Sequence, residues 1–340
     1  MKHVAIDLGS RESQVCVREA DGTILEESKQ PTKRLVELVK RWEEPRRVIL
    51  ETCAEAFRIA DAARAANHEV RVVPATLVRS LNVGARGIKT DRRDARALSE
   101  ASCRIDLPSV HIPSAGSREL KSIAGAREEL VESRTKLINN VRGWMRTQLW
   151  RLKSGGAESF HTRVRSHAEV LSTTLPEHVD RTLQVIEMLT TQIRGADAQM
   201  HRLAKTDPVC VALQTVPGVG TITAVRFRAA LDDVSRFNSA HAVESYLGLT
   251  PGENSSSERQ HRTGITKAGS TAARRMLVQA AWAAIRRAPN EPMVKWAMKI
   301  AERRGKFIAV IALARKLAGI LFAIWRDGTT YLSSRSAATA

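Results

Sequence analysis

Two short apolar stretches, residues 3–7 (HVAID) and 47–51 (RVILE), govern the interpretation of the N-terminal part of the chain, and each ends in a carboxylate. Runs of this length are typical of buried β-strands. Residues 12–19 (ESQVCVRE) predict another strand, and the turn signal ADGT at 20–23 leads into an extended segment at 24–27.

Helical spacing then alternates with strand signals. Residues 33–43 and about 54–67 predict helices, residues 70–73 (VRVV) a strand, and a further helix begins near Asp91. Strands at the front followed by alternating strands and helices indicate an α/β layer with mixed pairing.

The middle of the chain, beginning with residues 117–152, has a seven-residue apolar repeat on both sides of a Gly155-Gly156 break. The repeating residues are Val131, Ile138, Met145 and Leu152, then Val179, Ile186, Ile193 and Met200. Such a repeat is typical of a coiled coil or a long helical hairpin. We expect a dimerisation arm here, and the alternative is a helical spacer within one chain.

The chain is strongly basic. It has 340 residues, 54 Lys and Arg against 36 Asp and Glu, and a net charge of +18. From Glu258 to Asp327 there are fifteen basic and four acidic residues, a net of +11 and more than half of the excess. A patch this dense favours a polyanionic partner, most simply nucleic acid. The alternative is a solubilising helical surface, although such surfaces usually mix both signs.

Length and composition exclude other classes. A hydrophobic content of 43% supports real cores and is unlike a disordered basic tail. The sequence has no uninterrupted apolar run of about 18 residues, and MKHVAIDLGS does not resemble a signal peptide, so we expect a cytoplasmic protein without a membrane partner. The four cysteines are far apart and form no CxxC pair, which predicts reduced thiols.

Four carboxylates of the N-terminal part form a candidate metal site: Asp7 and Glu51 at strand ends, and Asp91 and Asp94 one helical turn apart. A cluster of like charges is stable when cations fill it, and oxygen ligands suit Mg²⁺ or Mn²⁺. The alternative is that Asp91 and Asp94 only favour the start of a helix capped by Thr90.

Two features of the C-terminal part suggest contact with phosphates. Residues 213–221 (LQTVPGVGT) resemble a helix-hairpin-helix, in which glycines let backbone N–H groups approach a nucleic-acid phosphate; the alternative is an ordinary tight turn. The polar stretch 252–269 contains three serines that are candidate nucleophiles, Ser255, Ser256 and Ser257. The alternative interpretation is a flexible polar loop. The basic residues around the serines are Arg259, His261, Arg262 and Lys267.

Several of these stretches resemble one known family. Asp7, Glu51 and KTDRRDA (89–95) resemble the DEDD set of the insertion sequence 110 family of transposases, whose first domain is RuvC-like with an RNase H fold. LQTVPGVG (213–220), YLGLTP (246–251) and RTGITKAGSTAARRMLVQAAW (262–282) resemble its second, transposase domain.

The resemblance implies a DNA recombinase that excises and inserts its own element, guided by a structured RNA that the element encodes. It implies that Asp7, Glu51, Asp91 and Asp94 bind a divalent metal and that a serine of the second domain links covalently to DNA. Family members often have Ser-Ser-Gly where this chain has three serines, which favours Ser256 and leaves Ser255 and Ser257 open. The resemblance further implies that the protein binds double-stranded DNA, both at the ends of the element and at the target site. It also implies that the protein assembles as a dimer or a tetramer. The nucleic-acid contacts it suggests are Pro217, Gly218, Val219, Gly220, Arg259, Arg262, Lys267, Arg274 and Arg275.

The predicted architecture is α/β plus all-α: a RuvC-like domain (1–108), a helical coiled-coil connector (109–205), a mostly helical domain with the helix-hairpin-helix-like motif (206–335) and a frayed tail (336–340). Three rival functions stay open. They are a hydrolytic junction-cleaving nuclease, an actin- or sugar-kinase-like ATPase suggested by IDLGS at 6–10, and a non-catalytic nucleic-acid scaffold.

Overall fold

The computed structural model describes residues 1–80, 91–253 and 262–332. The chain forms two compact units, residues 1–113 and 114–340. The predicted boundaries within 109–335 stay a prediction, and the predicted tail at 336–340 lies outside the described residues.

The first unit is built on a five-stranded sheet. Its strands are β1 (Lys2–Asp7), β2 (Glu12–Arg18), β3 (Ile24–Pro31), β4 (Arg46–Glu51) and β5 (Glu69–Val73). They lie in the order β3-β2-β1-β4-β5, with β3, β2 and β1 antiparallel and β4 and β5 parallel to β1. The predicted mixed α/β layer is confirmed, and this sheet is compatible with an RNase H-like fold.

Helices cover both faces of the sheet because its apolar residues alternate. The helices are α1 (Leu35–Lys40, after a 3₁₀ turn at Thr32–Arg34), α2 (Ala56–Ala65), α3 (Ala75–Ser80) and α4 (Asp91–Arg104). Val4 and Ile6 of β1 pack into the same cluster as residues of α1 and α2. Ala5, between them, packs with Leu98 of α4. The period of two along a strand therefore separates two cores, one on each face.

The second unit is mostly helical. Its helices are α5 (Ala115–Thr147), α6 (Phe160–Val170), α7 (Glu177–Thr206), α8 (Pro208–Leu213), α9 (Thr221–Leu231), α10 (Ala240–Tyr246), α11 (Thr271–Arg287), α12 (Pro292–Arg304) and α13 (Lys306–Asp327), with a 3₁₀ turn at Val234–Arg236. Two short strands, β6 (Pro251–Glu253) and β7 (Arg262–Ile265), pair antiparallel. The sequence predicted only a polar loop there, since strands this short carry no periodic signal.

The heptad residues pack inside one chain. Arg127 Nε of α5 lies 2.8 Å from Asp197 Oδ1 of α7, and Arg134 Nη1 of α5 lies 3.4 Å from Thr190 Oγ1 of α7. Seven residues forward on α5 therefore correspond to seven residues back on α7, so the two helices are antiparallel. Most heptad residues of both helices are buried within the chain, as the intramolecular alternative requires: Ile138, Met145, Val179, Ile186, Ile193 and Met200. Val131 is only half-buried, and Leu152 lies beyond the end of α5. Dimerisation through this arm stays a prediction.

Helix α13 is the one described helix that is long and apolar enough to cross a membrane by length and composition. Half of the residues in its apolar stretch are buried within the protein. Leu313, Leu317 and Leu321 lie in the same core as residues of α9 and α11, as expected for the central helix of a helical bundle.

Candidate active site

All four predicted carboxylates line one cleft. Asp7 ends β1 and Glu51 ends β4, and these strands are parallel neighbours with Ile6 opposite Leu50, so both acids reach the same edge of the sheet. The cleft has a volume of about 270 Å³. Its lining consists of Asp7, Leu8, Gly9, Glu51, Thr52, Cys53, Asp91 and Asp94.

The third and fourth acids come from the first turn of α4. Asp91 is exposed, whereas Asp94 is only 5% exposed. Burial raises the free energy of a carboxylate unless charges or hydrogen bonds compensate it. An arrangement of this kind gathers negative charge around a small water-accessible space.

The donor chemistry of the cleft fits a hard divalent cation. Its ionisable lining residues are carboxylates apart from Cys53, and burial raises the pKa of the Cys53 thiol, which stays protonated near neutral pH. In the described ranges, however, no three His, Cys, Asp or Glu side chains stand close enough together to hold an ion as positioned. The acids share a cleft without converging on one point.

An ion-pair network fixes α4 against the sheet. Glu27 of β3 receives hydrogen bonds from Arg96, Nε and Nη2 each at 2.5 Å, and from Arg92, Nη2 at 2.7 Å. Hydrogen bonds from Arg96 and then Arg92 lower the pKa of Glu27 to about 2. Paired fork contacts of this type set orientation as well as energy. They hold the turn that carries Asp91 and Asp94.

Two buried polar contacts continue this attachment along α4. Arg18 of β2 donates from Nε to Ser99 Oγ at 2.9 Å, and the Nδ1 of His3 lies 2.7 Å from Ser102 Oγ. Burial, and then the positive charge of Arg47, lowers the pKa of His3. A neutral His3 therefore sits on β1, the strand that ends at Asp7.

The turn after Asp7 is closely packed. A Cβ at Gly9 would lie 2.3 Å from the carbonyl oxygen of Glu12, so any side chain there displaces the backbone. Thr32 donates from Oγ1 to the Gly9 carbonyl at 2.6 Å and lies 2.7 Å from Ser13 Oγ. These contacts fix the backbone that carries the first carboxylate.

In the second unit, the two glycines of Pro217-Gly218-Val219-Gly220 differ in role. Gly218 has φ +88°, and a Cβ on it would lie 2.3 Å from the Ala280 carbonyl oxygen of α11. Gly220 precedes α9, is exposed, and has nothing within 4 Å of a Cβ position. Gly218 is required for packing, while Gly220 leaves an open helix start.

The stretches YLGLTP and RTGITKAGST pack on each other. A Cβ at Gly248 would lie 2.3 Å from the Ala268 carbonyl oxygen, and one at Gly269 would lie 2.0 Å from that of Tyr246. Arg274 is buried and donates from Nη1 to the carbonyls of Leu247 at 3.0 Å and Ala268 at 2.8 Å. This core holds the ends of β6 and β7, the strands on either side of the serine segment.

The remaining predicted residues of this unit divide into three groups. Lys267 is exposed, with φ +57°. Arg275 donates to Glu128 at 2.5 Å and Glu132 at 2.6 Å and is 45% exposed. Ser255, Ser256, Ser257, Arg259 and the side chain of Arg262 lie outside the described residues. Nucleic-acid contacts of all these residues stay a prediction.

Glu27, Arg18 and His3 were missed by sequence reasoning. Each lies on a strand, and its partner on α4 is at least 65 residues away in the chain. For His3 and Arg18 the available signal was a charged or polar residue within the otherwise apolar β1 and β2, which shows that a side chain needs a partner without naming it. Glu27 lies on the polar strand β3, where an acid gives no such signal.

Comparisons with known proteins agree with this architecture. The profile of the DEDD transposase domain of IS110 matches residues 4–148, and that of the IS116/IS110/IS902 transposase family matches residues 210–295. The transposase for insertion sequence element IS1111A of Coxiella burnetii is 28% identical over 80% of this chain and 78% of its own length. That of IS1328 from Yersinia enterocolitica is 25% identical over 96% of this chain and 98% of its own length. A probable family 20 transposase of Pseudomonas aeruginosa is 28% identical over 84% of this chain and 85% of its own length.

A DEDD domain followed by a helical transposase domain defines the class of the molecule, a DNA transposase, which cleaves and rejoins DNA. The chain belongs to the IS116/IS110/IS902 family of transposases. The resemblance noted from Asp7, Glu51 and KTDRRDA is thereby confirmed.

Proposed function

We propose that this transposase excises and inserts its own mobile element by metal-dependent strand exchange through a covalent phosphoserine–DNA intermediate, with an element-encoded structured RNA selecting the DNA. The observation that carries the catalytic part is the cleft shared by Asp7, Glu51, Asp91 and Asp94. Four acids from three separate elements lining one small space support a common role.

These acids would hold Mg²⁺ or Mn²⁺, because both ions prefer carboxylate oxygens. When bound, the ion offsets the charge of the scissile phosphate and lowers the free-energy cost of ionising a nearby hydroxyl. Asp7 and Glu51 come from the ends of paired strands and give the fixed part of the ligand set. Asp91 and Asp94 are held through α4 by Glu27.

Ser256 is our candidate nucleophile. Its hydroxyl oxygen would form a bond to phosphorus while the bond from phosphorus to one deoxyribose oxygen breaks, and the serine proton would leave to solvent or to a carboxylate. A DNA hydroxyl would then attack the same phosphorus and release the serine oxygen. Each step exchanges one phosphodiester for another, so rejoining needs no external energy source.

Assembly and nucleic-acid contact complete the proposal. A coiled-coil arm formed by α5 and α7, and a dimer or tetramer in which one protomer's carboxylates act with another's serine, would bring the two halves of the site together. The open start of α9 at Gly220 supports a helix-hairpin-helix-like contact with phosphate. Gly220→Ala should weaken DNA binding without unfolding the protein, since its Cβ meets nothing within 4 Å.

The test measures covalent protein–DNA adducts with element-end DNA, the guide RNA and Mg²⁺. Asp7→Asn and Ser256→Ala should each abolish the adduct, whereas Glu12→Gln, which removes an exposed acid paired with Lys29 on the same sheet, should not. Ser255→Ala and Ser257→Ala are the matched serine controls. Adducts that persist in Ser256→Ala would refute the nucleophile assignment.

Each rival function predicts a different experimental result. A junction-cleaving nuclease that uses water cleaves DNA without an adduct, and a scaffold retains its activity in cells when Asp7 and Glu51 are replaced by Ala. Membership of a transposase family favours strand exchange over the ATPase suggested by IDLGS. Nucleotide-dependent phosphate release by the purified protein would reverse that preference.

A further inference from the structure

The end of the helical hairpin, residues 142–163, which we call the hairpin tip, contains a pocket whose lining includes none of the predicted site residues. Helix α5 ends at Thr147 and α6 begins at Phe160. The loop between them contacts both helices, because the Trp150 N–H donates to the Met145 carbonyl at 2.9 Å and Arg163 donates to the Lys153 carbonyl at 2.7 Å. The pocket has a volume of about 340 Å³. This is within the range of small-ligand sites, about 300–1,000 Å³.

The pocket is positively charged. Four cationic side chains line it, and no carboxylate does: they are Arg142, Arg146, Lys153 and Arg163. The single acid of the hairpin tip, Glu158, has its Oε1 3.4 Å from the guanidinium of Arg134. The charge of the pocket therefore favours an anion.

Aromatic rings form part of its wall. Trp150 and Phe160 line the pocket. Edge contacts with Trp144 at 5.1 Å and His167 at 5.3 Å hold the Trp150 ring, and the guanidinium of Arg142 lies 5.5 Å from the Phe160 ring centre. Rings of this kind beside cations are the combination that binds bases and phosphates of single strands.

The loop is fixed by one arginine. Arg163 donates to the carbonyls of Lys153 at 2.7 Å and Gly156 at 2.9 Å. Its Nε is buried and has no hydrogen-bond partner in the described part of the chain. A Cβ at Gly155 would lie 2.7 Å from the Arg163 guanidinium carbon, so this approach depends on glycine. The pocket is thus already built before any ligand binds.

We propose that the hairpin tip binds an unpaired nucleotide of a nucleic-acid strand, with its phosphate at Arg146 and Lys153 and its base against Trp150, which is partly exposed, whereas Phe160 is buried. The hairpin is then a nucleic-acid contact as well as a structural connector. This inference rests on the proposed function only in that the enzyme handles nucleic acid; it requires neither the metal nor Ser256.

The test uses the full chain, with a chelator present so that cleavage cannot contribute. Fluorescence anisotropy measures binding of labelled oligouridylate, oligodeoxyuridylate and a blunt DNA duplex at several salt concentrations. The double variant Arg146→Gln/Lys153→Gln is compared with Lys121→Gln/Lys136→Gln, which removes two exposed charges from α5 outside the pocket. Circular dichroism confirms that both fold.

We expect the pocket variant to lower the slope of log affinity against log salt by about 0.7 for the single strands, the value for the one phosphate that the variant no longer neutralises. The control variant should change it less, and the duplex should be affected less than the single strands, because a stacked base cannot enter the pocket. A larger change of slope for oligouridylate identifies RNA as the strand that the pocket binds, and a larger change for oligodeoxyuridylate identifies DNA. Equal reductions in both variants, an equal reduction on the duplex, or unchanged binding would overturn the proposal, whatever the adduct assay shows.

Discussion

The attachment of α4 through Glu27 gives a quantitative prediction. The side chain of Glu27 is 12% exposed and its pKa is lowered from 4.5 to about 2. At 1.36 kcal/mol for each pKa unit, this shift corresponds to roughly 3 kcal/mol. The side chains of Arg92 and Arg96 are 60% and 42% exposed, so solvent screening reduces the contribution to about 1 kcal/mol. Glu27→Gln should therefore destabilise the first unit by about 1 kcal/mol at neutral pH.

The pH dependence of this loss separates it from a general effect. Because the pKa of Glu27 is lower in the folded protein, its contribution is fully present above the ordinary value of 4.5 and disappears as the pH falls towards 2. Urea unfolding should show a midpoint about 0.5 M lower for Glu27→Gln at pH 7, and the difference should shrink below pH 4.5. Glu26→Gln, an exposed neighbour on β3, is the matched control. A difference independent of pH, or an equal loss in Glu26→Gln, would refute the ion-pair explanation.

Three further perturbations test the close contacts. Gly218→Ala places a Cβ against the Ala280 carbonyl at positive φ and should cost about 3 kcal/mol in urea unfolding, whereas Gly220→Ala should cost less than about 1 kcal/mol; similar losses would contradict the assigned roles. Gly9→Ala should lower the free energy of unfolding by about 1–3 kcal/mol, and it should also lower the rate of strand exchange by the folded protein, because the displaced backbone carries Asp7; an unchanged exchange rate would argue against this positioning. Burial raises the pKa of Cys210 to about 12, so a thiol reagent at pH 8 should label it only at the rate of unfolding, and rapid labelling of the native protein would contradict its burial.

Sequence patterns predicted the first unit well because its signals are local. Val4, Ala5 and Ile6 alternate between two cores, and an apolar strand ending in a carboxylate indicates both the sheet and the edge at which Asp7 lies. Parallel pairing of β1 with β4 then brings Glu51 to the same edge. The order strand, strand, helix was enough to predict a shared cleft.

Other features depend on pairings that a single sequence does not reveal. The seven-residue repeat gave two helices, but whether Ile138 and Ile186 pack within one chain or between chains depends on register, and the structure packs them within the chain. Likewise, Arg274 is one of many basic residues, and only the fold shows its guanidinium held by backbone carbonyls. Charge counts predict a basic region without separating structural arginines from those that bind a ligand.

The most direct test of the catalytic proposal identifies the residue that carries DNA. The enzyme is trapped with element-end DNA, guide RNA and Mg²⁺, digested with nuclease and trypsin, and its peptides are sequenced by mass spectrometry. Ser256 lies in the tryptic peptide formed by residues 237–259. A nucleotide remnant on Ser256 that is lost in Asp7→Asn is the predicted result. A remnant on any other residue, or cleaved DNA with no modified peptide, would contradict it.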